Sequence, residues 1–313
     1  MPEISVIIAT YNRSAILNEA LKSVFSQERI QDTEYEVIVV DNNSVDQTKN
    51  TVLAMMKDHS AGNLHYWFQP VQGKSAALNL GIEKAKGKII AFTDDDVLVD
   101  KNWLSSIRDC FANTGCDSVG GKVLPLYPEK TPQWVKDNAA LLNGPIFIYD
   151  FGNEIKPYGP PLCEFYGANF AVKRSIFEEL GLFRTELGPS QNKGGEDTEF
   201  IRRMIDQGKR LFYCPGAGVL HRVTPEVMTL RYIAKWNISV GRFWYLYKIR
   251  GIHDKGAAMF GGVALYLIKD ILKDAMLLIP SIVMKNLFIK RWVTLFRNIG
   301  IASEMRKVNL CKE

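Results

Sequence analysis

The sequence predicts an α/β protein: a mixed, mostly parallel sheet flanked by helices, followed by a C-terminal helical extension. Three observations predict it. Unbroken apolar runs such as Ile89-Ile90-Ala91-Phe92 read as strands buried on both faces, the mark of parallel sheets. Such runs alternate with segments of helical period as far as Thr93, as right-handed crossovers between parallel strands require. The charge then shifts along the chain: residues 1–224 carry 24 Lys and Arg against 28 Asp and Glu, and residues 225–313 carry 15 against 6. The expected division is therefore a mildly acidic domain over 1–224 and a basic amphipathic extension over 225–313.

Ile4 to Ala9 reads as the first strand, with Thr10-Tyr11-Asn12-Arg13 as the loop at its carboxyl end. Leu17, Ala20, Leu21, Val24 and Phe25 then recur at helical spacing, with Ser14 placed to cap the helix. Tyr35 to Val40 makes a second strand ending at Asp41, and Ser44-Val45-Asp46-Gln47 has the form of a capping box. Leu64 to Phe68 is a third strand, Ser75 to Lys86 a helix, and Lys88 to Thr93 the fourth strand. Beyond residue 117 glycines and prolines break the pattern, but apolar and aromatic residues continue. The stretch therefore reads as the second half of a mixed sheet rather than a linker. Within it Glu164 to Val172 is a strand with a close backbone approach at Gly167, and Ser175 caps a short helix ending near Gly181. Leu211 to Tyr213 and Gly218 to His221 resume strand character.

At 313 residues, 47% hydrophobic and 23% charged, the chain is a globular protein with a substantial core. Its five cysteines are scattered, without a C-x-x-C pair or a flanking histidine, which argues against a disulfide framework or structural zinc and for a reducing compartment. Met1-Pro2-Glu3 runs straight into an apolar strand, so no secretory leader is expected and a cytoplasmic location is. The basic tail points to an anionic partner. No nucleic-acid module accompanies it.

Chemistry concentrates at four places. Asp94, Asp95 and Asp96 crowd the end of the fourth strand, where sheets of this kind hold ligands; like charges there call for neutralisation, and oxygen ligands suit Mg2+ or Mn2+. The plainer reading is three acids facing water, with Asp100 capping the next helix. Gly73-Lys74 before a helix start offers backbone N–H groups and a cation to a phosphate, or is simply where a helix begins. Glu196-Asp197 places two carboxylates after a glycine pair, Gly194-Gly195, where the helix dipole also favours acids. His221 ends a strand, and only company makes such a histidine a metal ligand.

Together these residues resemble the family 2 glycosyltransferases, inverting enzymes of the Rossmann-like GT-A fold. The resemblance runs in the family's order over about residues 4 to 224: Val6-Ile7-Ile8-Ala9-Thr10-Tyr11-Asn12, Val40-Asp41-Asn42-Asn43-Ser44, Gly73-Lys74-Ser75-Ala76-Ala77-Leu78-Asn79-Leu80-Gly81, Phe92-Thr93-Asp94-Asp95-Asp96, Gly167-Ala168-Asn169, Glu196-Asp197 and His221. Many relatives carry Arg where Leu78 stands. The resemblance implies that Thr10, Tyr11 and Asp41 hold the nucleoside of a nucleotide-sugar donor, with Gly73, Lys74 and Asn79 flanking it. It makes Asp94 and Asp96 the DxD motif, with Asp96 the direct metal ligand and Asp94 or Asp95 nearer the ribose. Asp197 becomes the catalytic base, His221 joins the metal or diphosphate, and Gly167, Asn169 and Glu196 face the acceptor or donor sugar. The implied reaction moves a sugar, from a UDP-linked donor, to a saccharide or lipid-linked acceptor in cell-surface polysaccharide or glycolipid assembly.

Physical chemistry agrees with that allocation. A departing diphosphate gains negative charge that a cation stabilises, and an acceptor hydroxyl needs a carboxylate to take its proton. Two alternatives stand beside it: a phosphohydrolase using Asp94 and Asp96 as nucleophile and acid, and an idle sugar-nucleotide-binding module. Against the first, three strand–helix units precede the motif, which usually opens that family; against the second, Asp96 and Asp197 are both present.

Residues 225–313 mix aromatic, aliphatic and basic side chains, and their longest uncharged run, Gly256 to Ile268, is too short to span a bilayer. The expectation is helices lying in a membrane interface, with Lys285, Lys290, Arg291, Arg297, Arg306 and Lys307 toward anionic lipid; a soluble helical cap or a dimer contact is the alternative.

Overall fold

The computed structural model describes residues 1–58, 62–159, 165–187, 195–246 and 257–310. Glu164, Gly194, Cys163 and Cys311 lie outside the described residues. The chain divides into two compact units, one formed by Met1–Leu126 with Phe147–Arg222 and the other by Tyr127–Ile146 with Val223–Glu313. Residues 127–146, which the sequence assigns to the sheet domain, thus group with the C-terminal helices.

The first unit opens with β1 (Ile4–Thr10), α1 (Ser14–Phe25), β2 (Tyr35–Asp41), α2 (Thr48–Asp58), β3 (Leu64–Phe68), α3 (Lys74–Lys84) and β4 (Ile89–Thr93). A short β5 (Val97–Val99), α4 (Trp103–Thr114) and β6 (Ser118–Leu126) follow, then, past α5 (Gln133–Asp137) of the second unit, β7 (Lys156–Pro157), β8 (Asn169–Lys173), α6 (Arg174–Leu180), α7 (Glu196–Asp206) and β9 (Leu211–Arg222). The strands join in the order β3-β2-β1-β4-β8-β6-β9-β5, with β7 on β9. β1, β2, β3 and β4 pair in parallel. β8 runs antiparallel between β4 and β6, while β6 and β9 are parallel to each other.

Burial explains the apolar runs. β1, β2 and β4 are covered on both faces, with Val6, Ile7, Ile8, Val37 to Val40 and Ile90 to Ala91 fully buried. Leu17, Ala20, Leu21 and Val24 are the inward stripe of α1. Phe92 stacks on Phe170 at 4.7 Å and meets Phe177 and Phe183 edge-on, so one aromatic cluster ties β4 to β8 and α6.

The capping expectations are corrected. Ser14 is the first residue of α1 rather than its cap; its N–H donates to Asp46 Oδ2 at 3.1 Å. The Ser44–Gln47 box does not form. Asp46 caps α2 instead, accepting from the Thr48 N–H at 2.9 Å and the Thr48 hydroxyl at 2.5 Å. α6 starts at Arg174 without a side-chain cap, so Ser175 lies inside it. The strand expected from Glu164 begins only at Asn169, because Tyr166 to Asn169 forms a turn closed by Asn169 N–H to Tyr166 O, 2.9 Å. Asp100, expected to cap α4, lies two residues before the cap position Asn102, which has no side-chain cap bond; its carboxylate closes a turn onto the Asn102 N–H at 2.8 Å. Cys110, Cys116 and Cys214 are buried free thiols.

The second unit holds α8 (Leu230–Trp244), a hairpin of β10 (Met259–Phe260) and β11 (Val263–Ala264), α9 (Leu265–Leu278) and α10 (Lys285–Leu310). α8 and α10 cross where two glycines let backbone meet backbone: a Cβ on Gly241 would lie 2.1 Å from Arg297 O, and one on Gly300 2.2 Å from Ile238 O. Trp292 of α10 donates to Leu230 O at 3.0 Å. Arg291, expected toward lipid, pairs with Asp274 at 3.3 Å. No described helix is long and apolar enough to cross a membrane.

Candidate active site

Parallel pairing brings the site together. The β1–β2 register sets Thr10 opposite Asp41, and β4 ends alongside them, so loops 10–13, 41–44 and 94–96 share one edge of the sheet. β5 then turns back antiparallel to β9, with Val97 opposite His221. That register delivers the histidine to the acids.

The three aspartates separate in role because β4 ends at Thr93 and Asp94 to Val97 forms a turn, closed by the Val97 N–H on Asp94 O at 3.4 Å, that sends successive side chains in different directions. Asp95 turns inward: it is 5% exposed, accepts the Thr10 hydroxyl at 2.7 Å on one oxygen and Arg13 Nη1 at 2.9 Å on the other. Burial pushes its pKa up, opposed by Arg13 and the Thr10 hydroxyl. Both oxygens being engaged within the protein, Asp95 and Thr10 brace the loop. Asp96 receives the same Arg13 nitrogen at 2.8 Å, and Asp94 receives Lys74 Nζ at 2.6 Å. Burial disfavours the Asp94 carboxylate, but Lys74, then His221, outweigh it and hold its pKa below the ordinary carboxylate range.

Asp94, Asp96 and His221 each offer one ligand atom, and these three atoms lie within 4.8 Å of one another. His221 is buried; its Nδ1 lies 3.1 Å from Arg222 O, an acceptor only, so Nδ1 donates there and Nε2 is the ring atom turned to Asp96 Oδ1, 3.6 Å away. Phe147 stacks flat on the imidazole, centroids 3.6 Å apart and planes 9° apart. Two carboxylates with one oriented imidazole, all partly or fully buried, fit Mn2+ or Mg2+.

Asp197 sits in the first turn of α7 beside Gly195, whose φ of 100° is a left-handed conformation that favours glycine. The Gly167 N–H donates to Asp197 Oδ2 at 2.7 Å. A Cβ on Gly167 would stand 2.8 Å from the same oxygen, so the expected close approach is to this carboxylate. Glu196 is buried, and burial, then Asp197, raises its pKa, with Lys74 opposing. Lys74 is the link. Burial works against its charge, yet Asp94, then Glu196 and Asp197, raise its pKa, so one ammonium answers the acids of both loops.

Several expected ligand groups are engaged elsewhere. Asp41 is 1% exposed and accepts the Tyr66 hydroxyl and the Ser44 N–H, both at 2.8 Å. The Gly73 N–H, expected free for phosphate, donates to Asn42 Oδ1 at 2.8 Å. Asn79 clamps the backbone of Phe183, donating to its carbonyl at 2.8 Å and accepting its N–H at 3.0 Å. Asn169, 1% exposed, accepts from Trp103 Nε1 and donates to Lys122 O and Ala217 O. Burial demands the complete pairing of Asn169, while half-buried Asn79 spends its amide on the Phe183 backbone. Tyr11 stands half-exposed at the rim.

Sequence reasoning assigned no role to Arg13 or Phe147. Arg13 closes the loop after the first strand, one residue past the Val6–Asn12 motif, and its approach to Asp95 and Asp96 was the missing fact. Phe147 had no signal: it adopts φ +58°, rare for a bulky residue, and meets His221 only through the fold.

The model of glycosyl transferase family 2 matches residues 5–181. The chain belongs to that family. It is 39% identical over 255 residues to glycosyltransferase AglE of Haloferax volcanii, covering 80% of this chain and 76% of the relative. It is 35% identical over 126 residues to the GalNAc(5)-diNAcBac-PP-undecaprenol beta-1,3-glucosyltransferase of Campylobacter jejuni, covering 40% and 39% of the two chains. Among solved structures it resembles the mannosyltransferase PcManGT of Pyrobaculum calidifontis in complex with GDP-Man and Mn2+, at TM-score 0.60 and 21% identity over 99% of this chain and 74% of that one. The last likeness concerns the fold: a GT-A sheet with C-terminal helices. The protein is a glycosyltransferase, and the hydrolase and idle-module readings fall away.

Proposed function

We propose that this family 2 glycosyltransferase is metal-dependent and inverting, moving a hexose from a nucleotide-sugar donor, UDP-linked, to a saccharide or lipid-linked acceptor in cell-surface polysaccharide or glycolipid assembly at the inner face of the cell membrane. The observation that carries it is the Asp94–Asp96–His221 donor set sharing Lys74 with a carboxylate, Asp197, pinned by the Gly167 N–H. The bound Mn2+ of PcManGT and the undecaprenol-linked substrate in the name of the Campylobacter relative support the cofactor and acceptor classes.

In this reading Tyr11 stacks on the nucleoside at the rim, and Asp41, whose oxygens accept from the Tyr66 hydroxyl and the Ser44 N–H, holds the loop that lines the base. Asp94, Asp96 and His221 hold Mn2+ or Mg2+, which when bound supplies Lewis-acid stabilisation to the departing diphosphate. Lys74, freed from Asp94, adds a second positive charge to that leaving group. Glu196 and the Gly167 turn border the sugar. Asp197 accepts the proton of the acceptor hydroxyl as its oxygen attacks the anomeric carbon from the face opposite the diphosphate; one displacement inverts the configuration. The Gly167 N–H fixes the direction in which the carboxylate presents its free lone pairs.

The test is Asp197→Asn, assayed for diphosphate release from a panel of sugar nucleotides with Mn2+. Transfer should fall by about 10²-fold or more, the general-base contribution, with calorimetric nucleotide binding retained. Undiminished transfer removes Asp197 from the base role.

A further inference from the structure

The second unit carries a surface that the transfer chemistry leaves unexplained. The side chains of Leu265, Leu272 and Met276 on α9 and of Ile279, the residue that ends it, recur at spacings of seven, four and three, one face of a helix, and all are exposed, Met276 at 77% and Ile279 at 74%. The opposite face is the packed one: Leu267 is buried with Tyr245, Ile301 and Met305, and Asp274 pairs with Arg291. The stripe runs into the turn Pro280–Val283, where Ile282, Val283 and Met284 are exposed, Val283 at 90%. Ser281 is buried and its hydroxyl donates to Leu278 O at 2.6 Å, so the turn is held while its apolar side chains face outward. No residue between Asp274 and Lys285 is charged.

An apolar strip of this length on a water-soluble face is unfavourable unless something covers it. Its border says what. Lys269 and Lys273 flank it on α9, Lys285 follows the turn directly, and all three are exposed. A second copy of the chain meeting this face across a two-fold axis would bring like lysine borders together. An anionic lipid surface takes both parts: acyl chains meet the strip and headgroups meet the ammonium groups, with the lysine stems lying along the apolar border.

We propose that the outward stripe of α9 and the turn at 279–284 insert into the interfacial layer of a bilayer containing anionic lipid, as a monotopic anchor. This narrows the interface expected from the sequence, because α10 gives Trp292 and Arg291 to the interior of the unit. It deepens the membrane-face part of the reading above and does not depend on the transfer chemistry, so loss of vesicle binding and loss of transfer are separate failures.

The experiment is co-sedimentation of the full-length protein with vesicles of phosphatidylcholine, alone or with phosphatidylglycerol. Binding is expected to need the anionic lipid. Met276→Asp and Val283→Asp should each weaken it by about tenfold or more, the loss of one buried apolar side chain, while Val283→Leu retains it. Both positions are exposed, so circular dichroism and transfer to a soluble acceptor should stay unchanged. In a Val283→Trp variant, quenching of the new indole by brominated acyl chains reports insertion. Wild-type affinity of the Met276→Asp, Val283→Asp double variant overturns the proposal. So does a wild-type dimer that ignores vesicles and dissociates on Val283→Asp, which would make a second copy the occupant.

Discussion

Substituting Gly167 by Ala separates the cost to the fold from the cost to the chemistry. A Cβ built there meets Asp197 Oδ2 at 2.8 Å and Asp197 Cβ at 3.3 Å, whereas ordinary contact begins near 3.4 Å. The nearest obstacle is the end of a side chain rather than backbone, so the carboxylate yields. In yielding it gives up the 2.7 Å bond from the Gly167 N–H. Losing a charge-assisted bond at a partly exposed site costs about 1 kcal/mol, and alanine's lower unfolded-state entropy offsets about half of that or more. Stability should therefore stay within about 1 kcal/mol of the parent, a shift of a few degrees or less in Tm. Catalysis should suffer far more. A base turned away from the line between hydroxyl and anomeric carbon loses its near-attack geometry, and misplacement of this size costs up to about 10²-fold. We expect kcat for diphosphate release to fall about 10- to 100-fold with donor KM nearly unchanged, measured beside a thermal melt. Wild-type kcat would refute the argument that Gly167 aims the base, and a collapse in Tm would show that the backbone, not the carboxylate, had moved.

Three further outcomes follow from the charges. Arg13→Gln removes the guanidinium that competes for Asp96, so Mn2+ titrated calorimetrically without nucleotide should bind roughly fivefold tighter, the worth of one half-exposed ion pair; weaker binding would mean that Arg13 orients Asp96 for the ion. His221→Ala deletes the only nitrogen of the donor set and should weaken the same titration about tenfold, while His221→Asn recovers part of it. Glu196 has its folded-state pKa raised, first by burial and then by Asp197, so folding favours its protonated form. That contribution is present below the unfolded-state value of about 4.5 and lost as pH rises through the raised folded value. Glu196→Gln should therefore melt higher than the parent at neutral pH, with the difference shrinking as pH is lowered through the carboxylate range; calorimetric Tm against pH decides, and a difference that widens in acid contradicts it.

Much of the fold was legible because parallel strands must be apolar on both faces and crossovers must be helices. β1 to β4 with α1 to α3 came from that pattern alone. The capping residues did not, because Ser14, Ser44 and Ser175 compete with neighbours such as Asp46 that sequence spacing ranks no lower.

The sequence by itself determined which chemical groups this protein owns: carboxylates after β4, an acid pair opening α7, a histidine closing β9, and a basic tail. Tertiary structure alone decided which of them face the reaction. Asp94 and Asp96 join His221, while Asp95 between them is sealed against Thr10 and Arg13. Asn79 and Asn169, chemically equal to any ligand amide, are consumed by backbone they brace. The reason is that a side chain's chemistry is fixed by its type, but its availability depends on partners brought from distant sequence by strand register, and register is set only when the whole sheet buries its core.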